Sequence, residues 1–249
     1  MTIYEKLLIR GSEIFLYPNE EYPASEIISG VNVYYGNKEK TMYAIDGNTY
    51  RGFHRIDRLL IGPKKITETF INSKLSWIID YLKTVQDKQE YDNLCMTITE
   101  ELREELKKNV KHPMLKPYNK VRKLVDLLFE HLVSMASELR EYRKSLVPYL
   151  AVPLDSHILK SDVIFKPDLK SSLGIKRRAT YKDISDPEQY NDIQDFLRQK
   201  AMEISKTYNQ DFYPIYFDLL WNNRYEKDGG NLFKTNPYSK IKCKENRCH

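Results

Sequence analysis

The chain has 249 residues, of which 41% are hydrophobic and 30% charged, and a formal net charge of +5. That composition excludes a disordered chain and suits one large domain, or one domain with a small appendage. No apolar run reaches the roughly 20 residues a membrane helix needs, and Met1 to Arg10 lacks the long apolar stretch of a signal peptide.

Three cysteines do not make a disulfide framework, so a reducing, cytoplasmic setting is expected. Cys243, Cys248 and His249 fall short of the ligand set of a structural zinc site, and an iron–sulfur cluster needs four cysteines. No metal or other cofactor is expected.

The β-like material lies before residue 62. Glu13 to Tyr17, Gly30 to Tyr35 and Thr41 to Ile45 are short, rich in Tyr, Val and Ile, and separated by proline and glycine. Asp46-Gly47 after an apolar run reads as a hairpin turn. From Pro63 the period becomes helical. Ile71, Leu75, Ile78, Leu82 and Val85 make one apolar face. Thr97 with Glu100 has the spacing of a capping box, opening a short helix with Leu102, Leu106 and Val110. A long helix follows Pro117, with its stripe running from Val121 to Leu139. Asp186-Pro187-Glu188 is a cap, a first-turn proline and first-turn acid, and starts another helix. A last helix follows Pro214 and carries Tyr216, Phe217, Leu220 and Trp221. The expectation is a mainly α protein: a small β-containing region over residues 1–62, a helical domain over 63–228, and a polar tail over 229–249.

Positive charge is segregated. Arg51, Arg55, Arg58, Lys64 and Lys65 fall in one segment. Lys160, Lys166, Lys170, Lys176, Arg177, Arg178 and Lys182 fall in another. Separated basic segments can present one face to phosphates, which makes Arg51, Arg55, Arg58, Lys160, Arg177 and Arg178 candidate DNA contacts. Near the first segment, Tyr34, Tyr35, Tyr43 and Tyr50, beside Arg51, Phe53, His54 and Arg55, interleave aromatics with cations, the place to look for a wedge that replaces a flipped nucleotide.

The stretch Val147-Pro148-Tyr149-Leu150-Ala151-Val152-Pro153-Leu154-Asp155-Ser156-His157-Ile158-Leu159-Lys160 carries the chemistry. Two prolines stiffen an apolar connection, and Asp155 falls where a helix begins. A carboxylate there faces free backbone N–H groups, which favour negative charge. A fixed carboxylate in a partly dry cleft is what glycosidic-bond cleavage needs, because the departing base leaves an oxocarbenium-like sugar behind. Local sequence alone favours the plainer reading, in which Asp155 or Ser156 is only a helix cap.

The segment resembles the Pro-X-Asp-X-(His or Arg)-(Ile or Val) signature of the helix-hairpin-helix DNA glycosylases, and most closely the archaeal 8-oxoguanine branch. Tyr118-Asn119-Lys120 upstream and Pro214-Ile215-Tyr216-Phe217-Asp218-Leu219-Leu220-Trp221 downstream resemble the family's lysine and its Leu-Asp-apolar-Trp element. The likeness covers roughly Lys116 to Arg224. It implies a helical glycosylase-like bundle, Asp155 as the essential carboxylate, and Lys120 as an amine that forms a Schiff base, with Lys144 as a second candidate. It also implies that Asp218 bonds a flipped base, that Trp221 stacks on it, and that His157 touches substrate or phosphate. The family's glycine-rich hairpin is absent, and residues 1–62 have no counterpart. The expected partner is DNA, bound by a monomer. The expected substrate is an 8-oxoguanine-type lesion or a hypermodified phage base, such as glucosylated hydroxymethylcytosine met in antiphage defence. Two other classes fit parts of the sequence: a helical DNA-binding module without catalysis, and a metal-dependent nuclease using Asp46 in Tyr43-Ala44-Ile45-Asp46-Gly47.

Overall fold

A computed structural model describes residues 1–35 and 38–226. The protein is mainly α-helical. In chain order the helices are α1 (Ile3–Gly11), α2 (Ala24–Ser29), α3 (Pro63–Thr84), α4 (Lys88–Lys107), α5 (Tyr118–Met135), α6 (Arg143–Leu146), α7 (Ser156–Lys160), α8 (Pro167–Ser172) and α9 (Pro187–Tyr208). Between α2 and α3 stands a two-stranded antiparallel sheet, β1 (Val31–Tyr35) and β2 (Lys38–Met42), with Val31 opposite Met42 and Val33 opposite Lys40. Among the described residues, no helix is long and apolar enough to cross a membrane.

α5 is the axis of the fold. Val121, Leu124, Val125, Leu128, Leu132 and Met135 are buried along it, and so are Lys120, Arg122, Asp126, Glu130 and His131. A helix covered on nearly all sides must satisfy its charged groups internally. Arg122 and Asp126, one turn apart, do so as a pair at 2.7 Å. The Tyr190 hydroxyl on α9 donates to the other Asp126 oxygen at 2.8 Å, and the Arg122 guanidinium lies 5.0 Å from the Tyr190 ring centre. This network fixes α9 against α5. Burial still pushes the Asp126 carboxyl upward, against the pull of Arg122 and Tyr190.

The start of α9 is as the sequence predicts: Asp186 accepts the Gln189 N–H at 2.8 Å and Pro187 opens the first turn. The long α3 also follows its stripe, with Ile71, Ile78 and Leu82 buried.

Four local expectations are corrected. Glu13 to Tyr17 is not a strand. It continues α1 as one wide turn in which the Tyr17 N–H reaches the Ser12 carbonyl at 3.0 Å. Packing decides this, because Phe15 stacks on Tyr216 at 5.9 Å and Gly11 lies against the same ring, where a Cβ would meet it at 2.3 Å. Thr97 caps nothing. α4 begins well before it, at Asp87, which accepts the Glu90 N–H at 2.9 Å, and the Thr97 hydroxyl donates back to the Asn93 carbonyl. Asp46-Gly47 is not the hairpin turn either. Asp46 caps a 3-10 turn over Gly47–Gly52, accepting the Asn48 N–H at 2.7 Å. The segment Pro214–Asn223 is wound as 3-10 turns rather than an α-helix.

The N-terminal residues do not stand apart from the helices. Leu7, Phe15, Ile27, Val31 and Met42 belong to the same continuous core as Leu128, Leu159 and Phe217. Cys95 is buried on α4 and burial pushes its thiol up to about 12, so it is an inert core residue. Cys243, Cys248, His249 and the tail they lie in fall outside the described residues.

Candidate functional site

Asp155 is the N-cap of α7. Its Oδ1 accepts the His157 N–H at 2.8 Å and the Ile158 N–H at 3.0 Å. Extended backbone after Pro153 delivers it, and the short apolar run before it is buried, with Val152 and Leu154 fully covered. Its second oxygen, Oδ2, faces the Lys123 Nζ at 3.5 Å. Capping therefore uses one oxygen and leaves the other for the space in front of it.

That space is a cavity of about 290 Å³. It lies just below the range of ligand clefts, roughly 300–1,000 Å³. One wall is α5, through Lys123, Leu127 and His131. A second is Pro153 and Asp155. A third is Asp218, Trp221 and Arg224. The last is the N-terminal region, through Lys40, Met42, Tyr43, Ala44, Asp46, Asn48 and Thr49.

Five of the residues picked from sequence thus share this cavity: Asp155, Asp218 and Trp221 from the glycosylase-like elements, and Tyr43 and Asp46 from the N-terminal region. The others stand elsewhere. His157 is exposed and meets the Trp221 ring edge-on at 6.1 Å. With Lys160 it lines a neighbouring groove near Asn223 and Tyr225. Lys120 does not line the cavity. It is buried with its ammonium on the Gly52 carbonyl and 4.7 Å from the Phe53 ring centre. Burial, with Lys182 nearby, pulls its amine down to about 8. Lys144 lies near the Tyr17 ring, 5.0 Å from its centre. Arg51, Arg55, Arg58, Lys160, Arg177 and Arg178 are all exposed.

The two basic segments, distant in sequence, touch. A Cβ on Gly52 would meet the Tyr181 hydroxyl and come within 3.4 Å of Lys182 Cε, so a larger residue here would have to displace the Tyr181 side chain. Lys123 sits 5.7 Å from the centre of the same Tyr181 ring, which links this junction to Asp155.

Sequence reasoning missed Lys123, His131, Glu130 and Arg224. The Arg224 Nη1 bonds Asp218 at 2.5 Å and lies 4.0 Å from Glu130, and the guanidinium sits 4.4 Å from the Trp221 ring centre. Trp221 is thus held by a cation at its ring while it lines the cavity. His131 holds its Nδ1 on the Leu127 carbonyl at 2.8 Å. A carbonyl only accepts, so Nδ1 carries the proton and Nε2 is an acceptor. Burial drops this imidazole to about 3, which keeps it neutral.

Glu130 is fully buried and neither of its oxygens receives an N–H or O–H. Burial first, and the neighbouring Asp218 carboxylate second, push it well above the usual range. Asp218 is also raised, by burial, with Arg224 opposing and Asp155 adding. Both carboxyls are thus pushed towards the protonated form, Glu130 the more strongly, because Asp218 has Arg224 beside it at 2.5 Å.

This arrangement fixes a sign. In the unfolded chain Glu130 ionises near its ordinary value of about 4.3. In the fold it keeps its proton to higher pH. Its contribution is complete below the unfolded value and is lost as pH rises towards the folded one. Glu130→Gln, which mimics the protonated form, is therefore expected to flatten the decline in stability above about pH 4.3. At alkaline pH it should add roughly 1–4 kcal/mol, as for other replaced buried charges. Urea unfolding of both proteins at pH 5 and pH 8 reads this. Parallel pH dependence of the two would place the proton elsewhere.

Among the described residues, no three His, Cys, Asp or Glu side chains stand together as a metal site. The chain matches no known protein family, no curated protein and no solved structure.

Proposed function

We propose that this chain is a DNA glycosylase that draws a modified base out of duplex DNA and cuts its N-glycosidic bond, leaving an abasic site. The observation that carries the reading is the meeting of Asp155, Asp218 and Trp221 on one cavity, with Lys123 3.5 Å from Asp155. A planar base stacks on Trp221, and its polar edge bonds Asp218. The bond from sugar C1′ to the base breaks with its electron pair leaving on the base, which takes up a proton. The Asp155 carboxylate stabilises the positive charge left on the sugar. Water, or the Lys123 amine, adds to C1′ and gives up a proton towards Asp155. Lys40, Asn48 and Thr49 line the N-terminal wall. They supply hydrogen-bonding groups beyond what stacking a bare ring uses, which favours a base with a polar substituent, such as a glucosylated hydroxymethylcytosine, over 8-oxoguanine. The protein acts as a cytoplasmic monomer in this reading.

The test is excision on duplexes carrying 8-oxoguanine, uracil or alkylated bases, and on glucosylated phage DNA, with and without alkali and with chelator present. Alkali-labile breaks on one substrate support the reading. Breaks abolished by chelator would mark a nuclease. Binding that leaves every DNA intact would mark a binding module.

Borohydride trapping separates the lysines. A covalent protein–DNA adduct is expected to vanish in Lys123→Ala and persist in Lys120→Ala, because of these two lysines only Lys123 lines the cavity, and it is the one beside Asp155. Loss in Lys120→Ala alone would move the amine back to Lys120 and require the Gly52 contact to open.

A further inference from the structure

The loop between the 3-10 turn and α3 carries Leu59, which is 93% exposed, more than any other large hydrophobic among the described residues. Ile56 and Ile61 flank it at 52% and 58%. Single exposed apolar side chains are ordinary, but three within six residues call for a reason.

The loop is braced. The Leu59 N–H donates to Asp57 Oδ1 at 2.9 Å, and Arg55 Nη1 donates to the Leu60 carbonyl at 2.9 Å. At its base, the Ile56 N–H reaches the Asn109 carbonyl at 2.8 Å and the Lys111 N–H reaches the His54 carbonyl at 2.9 Å. An apolar tip held up in water by four hydrogen bonds is preorganised to enter something. Cations surround it: Arg51, Arg55, Arg58, Lys65 and Lys111 are all exposed. Asp57, the carboxylate of the loop, is spent on the Leu59 N–H.

We propose that this loop is a wedge that enters a DNA duplex, with Leu59 filling the gap left in the base stack and Arg55 and Arg58 on the flanking phosphates. The charge complementarity points to a polyanion, and position points to a duplex. The loop leaves from Phe53 and Gly52, Gly52 packs on Tyr181, and Tyr181 lies beneath Lys123 of the cavity. The 3-10 turn that leads into the loop also carries Asn48 and Thr49 of the cavity wall, so the loop and the cavity are built on the same short segment. Apolar side chains inserted at a base step offset the lost stacking and stabilise the bent, opened duplex. The proposal rests on the cavity being a nucleobase site.

The probe is a duplex with 2-aminopurine beside the target base, titrated with wild type, Leu59→Ala and Arg58→Gln. Leu59 is almost wholly in water, so its truncation leaves the fold intact. Wild type is expected to raise the fluorescence by unstacking the probe. Leu59→Ala should lose that rise and bind the duplex roughly tenfold more weakly, while binding single strands within about twofold of wild type. Arg58→Gln should keep the rise and lower the salt slope of binding by about 1. Unchanged duplex affinity and unchanged unstacking in Leu59→Ala would overturn the wedge. So would Leu59-dependent sedimentation with phosphatidylserine vesicles tighter than duplex binding, which would make the loop a membrane tip. Leu59-dependent unstacking with no excised base on any substrate would keep the wedge and remove the enzyme; excision that ignores Leu59 would do the reverse.

Discussion

Asp155→Asn is expected to fold as wild type and to lose excision by about 10³-fold or more, the scale of removing a charge that acts in the transition state. The two roles of Asp155 come apart in this variant. Asparagine is as good an N-cap as aspartate, so it can still accept the His157 and Ile158 N–H groups. What it lacks is the negative charge 3.5 Å from Lys123 and at the cavity wall. Asp155→Ala removes both roles and should also cost about 1 kcal/mol of stability. Single-turnover excision and thermal unfolding, measured on both variants, make the distinction. Full activity in Asp155→Asn with lower stability in Asp155→Ala would leave Asp155 as a helix cap. Retained DNA binding with lost excision in both is the outcome the glycosylase reading requires.

Asp126→Ala is expected to be the most damaging single substitution for stability, costing about 3–5 kcal/mol and lowering the melting temperature by on the order of 10 °C. Arg122 is 4% exposed and Asp126 2%. Removing the carboxylate strands the guanidinium and the Tyr190 hydroxyl in the core. The loss comes from the uncompensated charge left behind more than from the pair's own worth. Asp126→Asn, which can still accept one bond, should lose less. The double variant Arg122→Met with Asp126→Leu should recover much of the loss, because two apolar groups leave nothing unpaired. Chemical unfolding reads all three. A loss in Asp126→Ala no larger than that of a surface carboxylate would mean that α9 is not held to α5 by this network.

The buried network and the cavity use neighbouring faces of one helix, α5. Arg122 and Asp126 point from α5 towards α9, and Lys123, Leu127 and His131 point from it into the cavity. Stability and the candidate chemistry therefore share a rigid element, which is how a site is kept in register with its substrate.

Local rules of short range were enough to read several features from the chain. The Asp186 cap, the apolar stripe of α3 and the placing of Asp155 at a helix start depend on residues two to four apart, and such spacings act the same way in any fold. The order of Asp155, Asp218 and Trp221 was also legible, although the sequence could not say that they meet. Other features were settled only by tertiary structure. Glu13 to Tyr17 has strand-like composition, yet the contact of Phe15 with Tyr216 draws it into a helical turn, as packing overrides weak propensity. Lys120 and Lys123 are both lysines of α5 near its start, and periodicity treats them alike. Each residue turns a helix by about 100°, so which lysine faces Asp155 depends on how α5 is rotated against its neighbours. Gly52 and Phe53 take Lys120, and Lys123 is left to the cavity. The wall built by Lys40, Asn48 and Thr49, and the upward push on the Glu130 and Asp218 carboxyls, have no local signature at all. They arise where segments far apart in the chain close over charge that water no longer reaches.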